Sequence, residues 1–315
     1  MSNCRCQGIL LVLGAGISWG CISCFIRPLS EMGLSVQDIT VLRVLVSILF
    51  AVPVLGVFSP QVFRITAKQA LHLAGCGILS LSFFNICYFR TLTQSDVSVA
   101  VMLLYTSPVF VMLLSALCFK EKLSLCKSIA CALAIAGCAA ISGIWQGKLN
   151  IPLAVLLTGL GSGLGYALYS IFGRCAQNAG ASSITITLWT MIFALAGTWY
   201  LADFSQIAAA ARSGAFYFHV TGLAIISTLL PYICYTLALK KLDISSCAVL
   251  AAVEPVTGCL IGFLLWKEEF SLSILSGIAL ILSALILAGW QKKTVHLNKK
   301  TTVFPDPNGV NAETN

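Results

Sequence analysis

Ten stretches of about 20 mostly apolar residues, joined by short polar connections, constrain this chain more than any other feature. They run over residues 8–27, 39–58, 70–90, 97–118, 126–145, 152–173, 183–202, 215–238, 244–266 and 273–290. A hydrocarbon core about 30 Å thick is crossed by roughly 20 residues of helix. Hydrocarbon offers backbone groups no outside partner, so segments of this length cross it as helices. Charged residues make up 10% of the 315 and hydrophobic ones 58%, against about a quarter charged in a soluble domain. The expected fold is an all-α integral membrane protein with ten transmembrane helices and no room for a soluble catalytic domain. Only Arg5 precedes the first stretch, no tidy small-residue cleavage site follows it, and nine more lie behind it. It is therefore expected to stay as a span rather than be removed as a signal.

The net charge of +8 invites a nucleic-acid partner, but its distribution argues for topology instead. With the N-terminus in the cytoplasm, thirteen Lys and Arg residues fall on the inner side: Arg5, Arg64, Lys68, Lys120, Lys122, Lys127, Arg174, Lys240, Lys241, Lys292, Lys293, Lys299 and Lys300. Five fall outside, namely Arg27, Arg90, Lys148, Arg212 and Lys267, and Arg43 lies within the second span. The positive-inside rule then puts both termini in the cytoplasm of a multi-pass protein of the cell membrane. Most of the fourteen cysteines lie in spans, where thiols act as small hydrophobes. Cys4 with Cys6 and Cys21 with Cys24 lack further ligands at metal spacing, so neither a metal nor a cofactor is expected.

The chain matches itself at an offset of 147. Between residues 84–124 and 231–271, 14 of 41 positions are identical, including Ile86-Cys87-Tyr88 with Ile233-Cys234-Tyr235, Asp96 with Asp243, Pro108-Val109 with Pro255-Val256, and Lys120-Glu121 with Lys267-Glu268. Gly14, Gly16, Arg27 and His72 also find their mates in Gly161, Gly163, Arg174 and His219. Five spans per copy is odd, so the second copy enters the membrane from the opposite face. Two inverted five-helix repeats, 8–145 and 152–290, are expected between a short N-terminus, 1–7, and a polar cytoplasmic tail, 291–315, too hydrophilic to fold alone. Many secondary transporters are built this way, with the substrate site between the repeats near the midplane. Duplication into a merely larger bundle is the plain alternative.

The pattern Ala100, Leu104-Tyr105, Ser107-Pro108, Leu113-Leu114, Lys120-Glu121, Leu123-Ser124 and Gly137 resembles the signature of the EamA family of the drug/metabolite transporter superfamily. So does its second copy, Glu254-Pro255-Val256, Gly262, Glu268, Ser271 and Gly277, and Trp19 and Arg43 fit as well. The resemblance spans about residues 8–290. It implies ten helices with inside termini, a central cavity between spans 1–4 and 6–9, and peripheral fifth and tenth spans.

Glu254 stands near the middle of the ninth span. A carboxylate at bilayer depth is costly and usually functional. Pro255 removes a backbone donor, so a helix break is expected there, with the carbonyl near Ala251 left without its helical partner, and likewise at Pro108. Glu254 is a candidate to bind a substrate cation or a coupling proton. Arg43 is a candidate clamp for a carboxylate or phosphate; snorkelling, or pairing with Glu254, competes. Trp19, Tyr105, Tyr166 and Trp189 lie inside spans, where lining a cavity and filling the bundle are both open, and Asn85 adds a polar group that can orient a ligand. Gly258 and Gly262 read first as close helix packing. Glu121 and Glu268 read as solvated helix-end pairs with neighbouring lysines, and Asp96 and Asp243 as N-caps.

The function these residues point to is secondary transport of a small metabolite, an amino acid or a related polar solute, by alternating access, with export preferred as the direction and protons as the candidate coupling ion. The partners expected are that solute and the lipid bilayer; the oligomeric state is open. There is no nucleotide-binding glycine loop to supply ATP drive. A membrane-embedded enzyme needs a nucleophile with its base, or metal ligands, at bilayer depth, and the spans offer one carboxylate and no deep His. A non-transporting sensor is the third class; flux into vesicles separates all three.

Overall fold

Each apolar stretch forms a helix in the computed structural model, which describes residues 2–95, 97–142, 152–267 and 271–290. Asp96, Lys148, Glu268 and the tail 291–315 lie outside the described residues. Eight helices are long and apolar enough to cross a bilayer: α1 (Cys4–Glu31), α2 (Val36–Phe58), α3 (Ala67–Gln94), α4 (Val99–Phe119), α6 (Leu153–Asn178), α7 (Ser183–Leu201), α8 (Gly214–Leu239) and α9 (Ile244–Trp266). Two shorter apolar helices, α5 (Leu125–Ile141) and α10 (Leu272–Ala288), complete the ten. Among the described residues there is no strand. The helix begins at Ser2, inside the expected N-terminal segment.

The offset of 147 reappears in the backbone, at positions where local chemistry dictates conformation. Ser35 caps α2 by accepting from the Asp38 amide, and its mate Ser182 caps α7 by accepting from the Thr185 amide. Ser124 and Ser271 do the same for α5 and α10, each satisfying an amide that the first helical turn leaves unpaired. Gly33 (φ 89) and Gly180 (φ 85) take the left-handed conformation after α1 and α6. Lys120 (φ 53) and Lys267 (φ 54) take it at the ends of α4 and α9 without glycine's freedom. The π-helical turns Gly75–Ser82 in α3 and Ile225–Leu229 in α8 coincide in part under the same shift.

The spans that bear Pro108 and Pro255 are both broken, one turn ahead of the proline. α4 consists of Val97–Leu104 and Ser107–Phe119, and α9 of Ile244–Leu250 and Val253–Trp266. The break does not free the carbonyl of Ala251, as expected above. Because Pro255 cannot donate to it, the amide of Glu254 does, at 3.0 Å, tightening the turn to an i to i+3 bond.

The two repeats interlock through these breaks. α1 packs on α8 and α9, and α6 packs on α3 and α4. Close approach demands glycine here. A Cβ on Gly20 would lie 2.4 Å from Thr257 Cβ and 2.8 Å from the carbonyl of Glu254. Gly20→Ala is therefore expected to lower stability by about 1–3 kcal/mol through overpacking, read as a fall in thermal unfolding temperature. α5 and α10 pack on one another, with the carbonyl of Gly137 against Gly277 and that of Gly277 against Gly137. Arg5 donates to the carbonyl of Ala288 at 3.4 Å, so the first turns of α1 and the end of α10 sit at the same end of the bundle.

That end also carries a charge cluster. Lys127 Nζ lies 2.6 Å from Glu121 and 3.4 Å from Asp243, with side-chain exposures of 9%, 12% and 17% in that order. Glu121 is thus paired across a turn with a buried lysine, not with a solvated neighbour. Asp243 occupies the N-cap position of α9 without capping it, because its carboxylate is drawn to Lys127.

Candidate functional site

Glu254 is the second residue of α9 after its break, and it is half-buried. Its Oε2 accepts from the hydroxyl of Tyr166 on α6 at 3.4 Å, beyond the usual O–H···O range of about 2.5–3.0 Å. Thr257, one turn on, bonds back to the carbonyl of Val253 at 3.0 Å and packs on Gly20. Gly258 meets no atom within 4 Å of where a Cβ would stand. Close helix packing is therefore not its role; it leaves open space beside the carboxylate.

Tyr166 forms part of the wall of two cavities. The first is aromatic, lined by Trp19, Phe84, Tyr166, Tyr169, Tyr232 and Tyr235 together with Ser80, Leu81 and Ser170. Trp19 meets Tyr166, Tyr232 and Tyr235 at ring-centroid distances of 6.3, 5.4 and 5.6 Å. The first two contacts are edge-to-face, a favoured geometry for aromatic pairs, while Tyr235 shares a hydrogen bond with Ser170 at 2.8 Å. The second cavity lies where the two helix breaks meet: Tyr105, Ser107 and Pro108 from α4, Ala248, Ala251 and Ala252 from α9, Ala134 and Cys138 from α5, and Tyr166. Ser107 is the repeat mate of Glu254. A larger void of about 820 Å3 between α2, α7 and α8 is lined by apolar side chains and Thr187, and offers a polar solute almost nothing to bind.

Arg43 on α2 is half-buried, and its Nε has no hydrogen-bond partner. It is within electrostatic reach of Glu254 and Tyr232, yet among the described residues it forms no ion pair with Glu254 within 4.0 Å. Direct pairing of the two is thus not the resting arrangement. The fold also separates two other candidates from this region. Asn85 is buried on α3 and lines neither cavity. Trp189 donates from its indole to the carbonyl of Val62 at 3.1 Å and packs on Phe193, pinning the α2–α3 connection.

Sequence reasoning passed over Tyr169, Tyr232, Tyr235 and Ser107. Tyr235 was within reach as the repeat mate of Tyr88, and Ser107 as that of Glu254. Tyr232 faces its mate Asn85 with no shared chemistry to flag it.

The sequence pattern of the EamA-like transporter family matches residues 7–143 and again residues 153–290. The chain belongs to the EamA-like transporter family. It is a multi-pass membrane transporter made of two repeats of five helices. Among curated relatives, a protein of Archaeoglobus fulgidus named an uncharacterized transporter is 23% identical over 301 residues, covering 92% of this chain and 98% of its own. The threonine/homoserine exporter RhtA of Escherichia coli K12 is 25% identical over 304 residues, covering 94% and 93%. A solved crystal structure superposes with a TM-score of 0.72 at 18% identity, over 90% of this chain and 96% of that one, so the two share a fold. These family and relative names are those of transporters rather than enzymes.

Proposed function

We propose that this EamA protein is a secondary carrier that exports a small zwitterionic solute of the amino-acid type by alternating access, coupled to protons held by Glu254. The observation that carries this is a pair of opposite charges that do not pair directly, each next to a tyrosine of the aromatic cavity between the repeats: Glu254 beside Tyr166 and Arg43 within electrostatic reach of Tyr232. A solute with a carboxylate and an ammonium group satisfies both. The planar fork of Arg43 suits a carboxylate, Glu254 takes either an ammonium group or a proton, and Trp19 with its tyrosines holds the apolar body. The name of RhtA, an exporter of threonine and homoserine, supports both the solute class and the direction. The proposed setting is the cytoplasmic membrane with both termini inside, as the Lys and Arg distribution favours. Inverted repeats give two nearly equivalent shapes, one open to each face.

Proteoliposome counterflow with L-threonine and a panel of amino acids tests this. Arg43→Gln is expected to raise KM for amino acids by roughly ten- to a hundredfold, the worth of a charge-assisted bond, while uptake of the matching decarboxylated amines is not weakened. An equal effect on both, or none, would remove the carboxylate assignment. Absence of flux for every solute tried, with binding retained, would favour a sensor.

A further inference from the structure

The two cavities meet at one side chain, and only one of them suits the solute. The aromatic cavity offers rings with the hydroxyls of its tyrosines and serines, that of Tyr169 buried without a partner. The cavity at the helix breaks is small, walled by alanines, and carries the hydroxyls of Tyr105 and Ser107, the latter 4% exposed. Neither hydroxyl makes a hydrogen bond among the described residues. Polar groups at a void are nearly always partnered, by protein or by ordered water, and this void has room for about one water. A hard metal cation takes six or more oxygen ligands; three hydroxyl-bearing side chains beside a thiol and alanines do not provide them. The chemistry that fits is proton transfer through a water.

We infer that the cavity at the helix breaks is the proton entry to Glu254, with Tyr105 and Ser107 holding a water that passes a proton through the hydroxyl of Tyr166 to the carboxylate. Proton and solute then reach Glu254 from opposite sides of Tyr166. In the step itself, the water gives a proton to the phenol oxygen of Tyr166 as that phenol gives its own to Glu254 Oε2. One O–H bond breaks at the water and one forms at the carboxylate, the phenol ends unchanged, and the water is reprotonated from the aqueous side. Glu254 faces Tyr166 from α6, Tyr88 from α3, Tyr105 from α4, Cys138 from α5, Tyr232 from α8 and Arg43 from α2. Of these, Tyr166 alone among the described residues hydrogen-bonds the carboxylate, and a bond that is long at rest can tighten during transfer.

This assignment rests on Glu254 as the proton carrier, so the decisive measurement uses no solute. In purified full-length protein, time-resolved infrared spectroscopy after a pH jump follows the carboxylic C=O band that Glu254→Gln removes. Tyr166→Phe is expected to slow the appearance of that band by about a hundredfold, within the range for loss of one positioned proton-transfer group. Ser107→Ala and Tyr105→Phe should each slow it as well, and they keep the test open should Tyr166→Phe misfold. In proteoliposomes, Ser107→Ala and Tyr105→Phe should lose accumulation driven by a pH gradient while retaining L-threonine counterflow. Unaltered band kinetics in all three variants overturns the relay and leaves Glu254 as carrier. If Glu254→Gln removes no pH-sensitive band, the carrier assignment falls with it.

Discussion

Glu254→Gln is expected to abolish transport driven by a proton gradient, with a fall of roughly ten- to a hundredfold or more in initial rate and little loss of folded protein. The carboxylate and the amide are nearly isosteric, so the packing of α9 on α1 at Gly20 is kept. What is lost is the charge, and with it both the proton and the ammonium partner. A charge-assisted hydrogen bond is worth about 1.5–3 kcal/mol, and each 1.4 kcal/mol is tenfold in an equilibrium. Reconstituted uptake with and without a pH gradient reads the effect directly. Unchanged uptake with unchanged pH dependence removes Glu254 from the mechanism.

The second large effect falls outside the cavities. Lys127→Met is expected to destabilise the protein by about 3–5 kcal/mol, the loss seen when one partner of a buried ion pair is removed. Exposed pairs are worth about 0–1 kcal/mol, so exposure decides between the two regimes. Side-chain exposures of 9%, 12% and 17% for Lys127, Glu121 and Asp243 place the cluster in the buried regime. Glu121 at 2.6 Å should carry more of the coupling than Asp243 at 3.4 Å. Thermal unfolding in detergent checks the size, and adding Glu121→Gln with Asp243→Asn should recover most of the loss. Loss under 1 kcal/mol would mean water reaches the cluster. The bond to Asp243 joins the two repeats at the end that holds Arg5 and Ala288, and the mate of Lys127 in the second repeat is Ile274. The pseudo-symmetric molecule therefore lacks this lysine at the matching position.

Much of this architecture was legible in the sequence because a bilayer leaves few options. Length and apolarity specify the ten helices, and the offset of 147 specifies the doubled unit. Local rules then fix the caps at Ser35 and Ser182 and the breaks near Pro108 and Pro255. Glu254, Trp19, Tyr105 and Tyr166 stood out because polar and aromatic groups deep in a span are unusual there. Where expectation and structure part, the cause is a neighbour distant in sequence. Asp243 reads as an N-cap until Lys127, from the other repeat, draws its carboxylate away. Gly258 reads as a packing site until α9 is seen with open space on that face. Trp189 reads equally as cavity lining or bundle filling until the carbonyl of Val62 takes its indole N–H.

The sequence by itself determined which segments cross the membrane and that one five-helix unit is used twice, since both follow from local hydrophobicity and from identity along the chain. Only the tertiary structure decided that Tyr166 stands between two cavities, that Tyr169 and Tyr232 join Trp19, and that Arg43 and Glu254 remain apart. Those facts depend on how helices far apart in the chain rotate and cross. Inside a bilayer every face of a span is apolar, so hydrophobic patterning carries little information about which face turns inward.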